Sequence, residues 1–190
     1  MPPEVMQLRK QQIKNFVTIL MISNGTPMFC AGDEFMNTQR GNNNPWNQDN
    51  ETTWIDWDLL KRSSDIFRFF KGMIAFRKAH PSLARSRFWR EGVSWYGTDG
   101  QVDLGYLSHS LAFCLHGGSQ QDRDMYVMIN AYWEDLDFQI LEGEVSGWVR
   151  IADTSMSSPF DLPESGREEP LGSLNYKVKA RSIVVLLKSA

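Results

Sequence analysis

Asp33 and Glu34 are adjacent carboxylates, the pair in this sequence best suited to acid–base chemistry. They directly follow an apolar run at residues 26–31, and α/β barrels place their working groups just beyond the carboxyl ends of buried strands. Glycoside hydrolysis, however, needs two carboxyl groups that face each other about 5 to 9.5 Å apart. Neighbours in an extended chain point to opposite sides. We therefore expect Asp33 and Glu34 to have structural or supporting roles.

A polar loop follows at residues 37–53, and it combines amide, carboxylate and guanidinium groups with a flat indole ring. Sugar hydroxyls need such a mixture of donors and acceptors. An Asn-rich turn whose side chains bond their own backbone would have a similar composition, so both interpretations stay open. The candidate substrate-binding residues are Arg40, Asn42, Asn43, Trp46, Asp49 and Asn50.

Other reactive side chains lack the spacing of a metal centre or a nucleophilic triad. His80, His109 and His116 have no metal-ligand spacing with one another or with the two cysteines, Cys30 and Cys114. Both cysteines have apolar neighbours, which favours reduced core thiols. We expect no metal and no cofactor.

Two helices and a strand are predicted before residue 84. Residues 4–23 and 64–79 have apolar side chains at helical spacing, and His80-Pro81 should end the second helix. Between the helices, residues 26–31 have the continuous apolar pattern of a strand buried on both faces. Helix, strand and helix in this order form an α/β unit.

After Leu83 the chain changes to short β-type runs separated by turn residues, which predicts an antiparallel β-sandwich. A long surface loop is expected at residues 157–173, between the fifth and sixth predicted strands. The predicted strands are residues 93–96, 111–116, 125–130, 136–141, 148–152, 176–179 and 183–187. The fold class is therefore mainly β, with an α/β segment in front.

Composition limits the partners of this chain. A net charge of −3 and a pI near 5.6 provide no attraction for nucleic acid or for an anionic membrane. The start lacks the basic region of a signal peptide, so we expect a cytoplasmic protein. Seven tryptophans in 190 residues raise the prospect of carbohydrate recognition, although core packing is the commoner use of Trp.

Several motifs resemble a known enzyme family. The segment GTPMFCAGDEF at 25–35 is similar to the last-strand motif of α-amylase-family barrels. The motifs GNNN at 41–44, QDNE at 48–51, WIDW at 54–57 and FRKAHP at 76–81 resemble bacterial glycogen debranching enzymes and isoamylases. The match continues in NAYWE at 130–134, DTS at 153–155 and ARSIVVL at 180–186. The resemblance therefore covers almost the whole chain.

The resemblance implies that residues 1–83 are the last helix, strand and helix of a TIM-type (β/α)8 barrel, and that residues 84–190 are the β-sandwich. It implies hydrolysis of α-1,6-glucosidic branch linkages in glycogen, with branched α-glucan as the partner. The family's catalytic Asp, Glu and Asp lie upstream and match no segment here, so no catalytic residue is expected in this chain. A non-catalytic glucan-binding or protein-interaction sandwich is the alternative, and an exposed Trp or Tyr platform would favour it.

A barrel end without its barrel would expose large apolar side chains, among them Phe16, Leu20, Phe29, Phe69 and Phe70. Exposure of that much apolar surface would cost several kcal/mol, comparable to the stability of a domain. We therefore expect this segment to collapse onto the sandwich, to unfold locally or to form a homodimer through the edges of the predicted strand, and we favour the homodimer.

Overall fold

The computed structural model describes residues 2–86, 88–89 and 91–189. Its helices are α1 (Pro3–Ile22), α2 (Asp58–Arg62), α3 (Ser64–Ala79) and α4 (Pro81–Ala84). Its strands are β1 (Val93–Tyr96), β2 (Ser110–Leu115), β3 (Met125–Asn130), β4 (Leu136–Gln139), β5 (Trp148–Asp153), β6 (Glu169–Pro170), β7 (Asn175–Val178) and β8 (Ser182–Lys188). Across this part of the chain, none of the helices has both the length and the apolar character needed to cross a lipid bilayer.

The strands form two antiparallel sheets. The large sheet has the order β1-β2-β3-β8-β5-β6, and β4 pairs with β7 in a small second sheet. The register of β5 against β8 shifts between Arg150 and Ala152, which marks a bulge. The mainly antiparallel β fold expected from the sequence is thus confirmed.

The large sheet is covered on both faces. On one face, α1 and α3 contribute Val17, Met21 and Phe69 to a core shared with Val127 and Val185 of the sheet. On the other face, the small sheet contributes Phe138 and Val178 to a second core, which includes Tyr126, Met128, Trp148 and Leu186. Burial on both faces explains why β3 and β8 are almost continuously apolar instead of alternating.

The predicted elements after residue 84 agree with the structure. All seven predicted strands are present within two residues of their expected bounds, and β6 is an additional strand inside the predicted surface loop. Both long helices are also found where the apolar periodicity placed them, while the short α2 and α4 were missed. The helices α1 and α3 share a core with the sheet. The proposed division of the chain at residue 84 stays a prediction.

The strand predicted at residues 26–31 is not present in this structure. Residues 26–30 have no regular secondary structure, and Met28 is 86% exposed. A strand needs a hydrogen-bonded neighbour, and the described residues place no other strand beside this segment. Cys30 is consequently exposed and is not a core thiol, whereas Cys114 is buried as expected.

The apolar face of the first 83 residues is covered only in part. Phe69 and Phe70 are buried, but Phe16 is 71% exposed and Phe29 is 39% exposed. Together with Leu20, the two exposed rings line a groove of about 340 Å³ beside α1. Folding onto the sheet therefore hides part of the predicted patch, and homodimer formation stays a prediction.

Candidate functional site

The polar loop lies between a short 3₁₀ turn, Asp33–Phe35, and α2. Phe35 is 1% exposed and its ring contacts Trp57, with centroids 5.6 Å apart. At the same place, Asn37 Oδ1 accepts a hydrogen bond from the Asp56 backbone N–H at 3.2 Å. The two ends of the loop are thus held together.

Asp33 and Glu34 stabilise the turn that begins this loop. Asp33 Oδ2 accepts the Cys30 backbone N–H at 2.9 Å, and Glu34 Oε2 accepts the Gly32 backbone N–H at 2.8 Å. Gly32 has a φ of 98°, and a Cβ there would lie 2.6 Å from Asn37 Cβ, so only glycine fits. These contacts favour the structural role expected for the two carboxylates.

Four of the predicted binding side chains make contacts within the loop. Asn42 Oδ1 accepts the Asn44 backbone N–H and Asn50 Oδ1 accepts the Thr52 backbone N–H, both at 2.9 Å. Trp54 Nε1 donates to Asp49 Oδ1 at 2.8 Å, and Arg40 Nη1 lies 2.9 Å from Glu51 Oε1. The self-bonding interpretation therefore applies to Asn42 and Asn50, whose side-chain oxygens shape the backbone.

Exposed indole rings, at Trp46 in the loop and at Trp54 and Trp57 just after it, are the most unusual feature of this region. Trp46 is 94% exposed, Trp54 is 59% exposed and Trp57 is 66% exposed. Asn43, three residues before Trp46 in the chain, is exposed as well. Sequence reasoning singled out Trp46 and Asn43 but used Trp54 and Trp57 only for the resemblance, although their spacing was visible.

Flat rings and exposed polar groups on one loop suit the binding of a sugar, whose faces are apolar and whose edges carry hydroxyls. Acid–base chemistry is less well supported. Asp33 and Glu34 accept backbone N–H groups of the turn before the loop, and Asp49 accepts the indole N–H of Trp54. The geometry therefore favours a binding site over a catalytic one.

A second polar cluster lies at the end of β2. The side-chain atoms of Cys114, His116 and Glu142 that could ligate a metal ion lie within 4.8 Å of one another. Among the described residues, this is the one group of three such side chains. His116 Nε2 is 2.9 Å from Ser94 Oγ, and Tyr96 donates to Glu142 Oε1 at 2.5 Å. The sequence analysis did not find this group because Glu142 is distant along the chain.

The protonation state of the thiol favours hydrogen bonding in this cluster. Burial, followed by the charges of Glu142 and Asp124, raises the pKa of Cys114 to about 12. A metal ion could be bound here by this side chain only as the thiolate, with loss of the thiol proton. The hydrogen bonds of His116 and Glu142 account for the arrangement without an ion.

Comparison with known proteins places this architecture in a family. The family model described as "Isoamylase, C-terminal" matches residues 92–187, half of the chain. An isoamylase from a Flavobacterium species is 32% identical over 94% of this chain and 26% of its own length. Isoamylase 3, chloroplastic, from Oryza sativa subsp. japonica is 35% identical over 96% of this chain and 23% of its own. The chain thus spans about a quarter of these relatives.

Solved structures support the same assignment. A pullulanase from Bacillus acidopullulyticus superposes with a TM-score of 0.75 at 20% identity, over 94% of this chain and 20% of that one, which establishes the fold alone. A Paenibacillus barengoltzii pullulanase in complex with maltohexaose and alpha-cyclodextrin has a TM-score of 0.68 at 27% identity, over 94% of this chain and 25% of that one. The chain belongs to the isoamylase and glycogen debranching family and carries its C-terminal domain.

Proposed function

We propose that this chain is the C-terminal part of a glycogen debranching glycosidase that hydrolyses α-1,6 branch linkages. In this proposal the chain supplies contacts to the branched α-glucan, and the catalytic carboxylates belong to a preceding part of the enzyme. The exposed Trp46, at the centre of a loop whose ends are fixed, is the observation that carries the proposal. Membership of the family supports the choice of substrate.

Residues 1–83 would be the end of the barrel in this enzyme. The exposed apolar groove along α1 and the unpaired residues 26–30 support this idea, because both lack the neighbours that a barrel would supply. In such a setting, residues 26–30 would find strand partners on both sides. The polar loop would then lie beyond the carboxyl end of that strand, where barrels bind their substrates.

Individual roles on the loop follow from its geometry. We infer that Trp46 stacks on a glucose ring and that Asn43 bonds its hydroxyls, since both side chains are exposed. Arg40, Asp49, Asn42 and Asn50 contribute the donors and acceptors that remain after their contacts within the loop. Asp33 and Glu34 hold the turn and touch no sugar in this proposal.

Replacing Trp46 by alanine is the experiment that tests the loop. We expect the affinity for maltoheptaose, measured by titration calorimetry, to fall at least about tenfold, which corresponds to ~1.4 kcal/mol. Phe160, which is 63% exposed and outside the loop, provides the matched control, and Phe160→Ala should bind like the wild type. Unchanged affinity in Trp46→Ala would remove the loop from the binding site.

A second prediction follows from the proposal that the catalytic carboxylates belong to a preceding part of the enzyme. The chain alone should release no reducing ends from glycogen or amylopectin, because retaining hydrolysis without an acid and a nucleophile is slower by many orders of magnitude. A reducing-end assay against a buffer blank measures this. Activity that persists through repurification would show that the chain carries catalytic residues of its own.

The alternative, a non-catalytic glucan-binding or protein-interaction module, is favoured by one observation. Trp133 on the sheet domain is 57% exposed and lies against Tyr132. An exposed ring platform of this kind is what a binding module would present to its ligand.

A further inference from the structure

We propose that His109, Tyr132 and Trp133 form a second contact surface for α-glucan, called here the ring cluster. It lies on the β-sheet domain, apart from the polar loop. Its ligand class rests on the proposed function, whereas its existence as a binding surface rests on the geometry of the three rings.

The three rings are contiguous. The centroids of Tyr132 and Trp133 are 4.0 Å apart with their planes at 33°. The His109 ring lies 5.8 Å from Tyr132 and 6.3 Å from Trp133. Trp133 is 57% exposed, and His109 is also exposed. A group of large rings that face water together marks an interaction site rather than an isolated surface residue.

The backbone under the ring cluster is held by buried hydrogen bonds. Asn130 is 1% exposed, and its Nδ2 lies 2.8 to 3.1 Å from the carbonyl oxygens of Glu134, Val178 and Lys179. Its Oδ1 accepts the Tyr132 backbone N–H at 2.9 Å. A surface that is already ordered loses little entropy on binding, so it can bind a ligand without rearrangement.

Charge around the ring cluster favours a neutral ligand. Glu134 follows Trp133 in the chain and Arg181 is joined to Tyr132 through their backbones, so an exposed acidic and an exposed basic residue adjoin the cluster, and Asp135 is paired with Lys179 at 2.7 Å. A nucleic acid would need a basic surface. A glucan offers apolar C–H faces to the rings and hydroxyls to the carboxylate and guanidinium, so it matches both features.

The ring cluster and the start of the polar loop both lie near the first half of α1. Gln11 Nε2 donates to the carbonyl oxygen of Arg181 at 2.8 Å, and the Arg181 N–H donates to the Tyr132 carbonyl oxygen at 2.9 Å. Arg9, also in the first half of α1, lines the apolar groove together with Asp33 and with Thr38 of the polar loop. One long or branched glucan that contacts both surfaces would gain avidity without a new contact at either.

Trp133→Ala, with Trp133→Phe as the matched conservative variant, tests this proposal. We expect co-sedimentation with glycogen to weaken about tenfold in Trp133→Ala and to stay within about threefold of the wild type in Trp133→Phe, which keeps a flat ring. Binding of maltoheptaose, a short glucan, is measured in the same variants beside the binding of glycogen. Near-ultraviolet circular dichroism and the thermal midpoint of each variant establish that the fold is retained.

The outcomes separate this proposal from the loop. Wild-type glycogen affinity in a folded Trp133→Ala, with binding lost in Trp46→Ala, would overturn the ring cluster and leave the proposed function intact. Loss in Trp133→Ala but not in Trp46→Ala would support the ring cluster and overturn the loop. A wild-type chain that binds neither glycogen nor maltoheptaose would overturn the ligand class, and self-association reduced by Trp133→Ala would then identify the cluster as a protein contact.

Discussion

Replacing Asp161 by alanine should lower the free energy of unfolding by about 3–5 kcal/mol, the usual result when one partner of a buried ion pair is removed. The Asp161 side chain is completely buried. Lys14 Nζ lies 2.5 Å from its Oδ2, and the Arg68 guanidinium donates to its Oδ1. Without the carboxylate, the nearly buried ammonium of Lys14 would lose its counter-charge.

Urea denaturation at neutral pH measures this loss. Asp137→Ala provides the control, because Asp137 and Lys177 form a pair in which both side chains are mostly exposed. Water screens such a pair, so its removal should change the midpoint little. A double variant, Lys14→Met with Asp161→Leu, should recover part of the loss, since it removes the buried ammonium together with its counter-charge and leaves only the partly exposed Arg68 guanidinium without this carboxylate. Equal effects of Asp161→Ala and Asp137→Ala would mean that the buried network contributes no more than a surface pair.

Replacing Phe69 by alanine should also cost about 3–5 kcal/mol, because it leaves a cavity in the core between the helices and the large sheet. Phe69 in α3 is 0% exposed and belongs to the same core cluster as Val127 and Val185 of the sheet. We expect one cooperative transition at a lower midpoint, followed both by circular dichroism and by tryptophan fluorescence.

Phe67 on the same helix is 38% exposed, so Phe67→Ala is the matched control and should have a much smaller effect. The shape of the transition also tests the division at residue 84. Two separate transitions in Phe69→Ala, with the sheet unfolding at its wild-type midpoint, would support an independently folded unit from residue 84 onward. Two transitions would contradict our expectation that the helices and the sheet, which share one core, unfold together.

Local pattern was enough to predict the strands and the two long helices. The runs that became β3 and β8 are apolar and bounded by turn residues, and α3 has its buried side chains at helical spacing. Residues 26–31 had an equally clear pattern but failed to form a strand. A strand is stabilised by its neighbours in space, which a local pattern does not contain.

The irregular polar loop was predicted but its internal geometry was not, and its role in binding stays a prediction. The loop with Trp46 was identified because amide residues and an exposed-type ring stand together in the sequence. That Asn42 and Asn50 bend the backbone depends on dihedral angles, which composition does not give. The ring cluster was missed because His109 meets Tyr132 only after β2 and β3 pair.

The position of β6 at the margin of the large sheet has a consequence for solubility. Glu169 and Pro170 are its only residues, and they pair with Arg150 and Val149 of β5. Proline has no N–H to offer to an incoming strand, and the Glu169 carboxylate lies 3.2 Å from the Arg150 guanidinium. This edge of the sheet is therefore a poor template for pairing with a strand of another copy. The apolar groove beside α1 is a better candidate than this edge for the association of two copies.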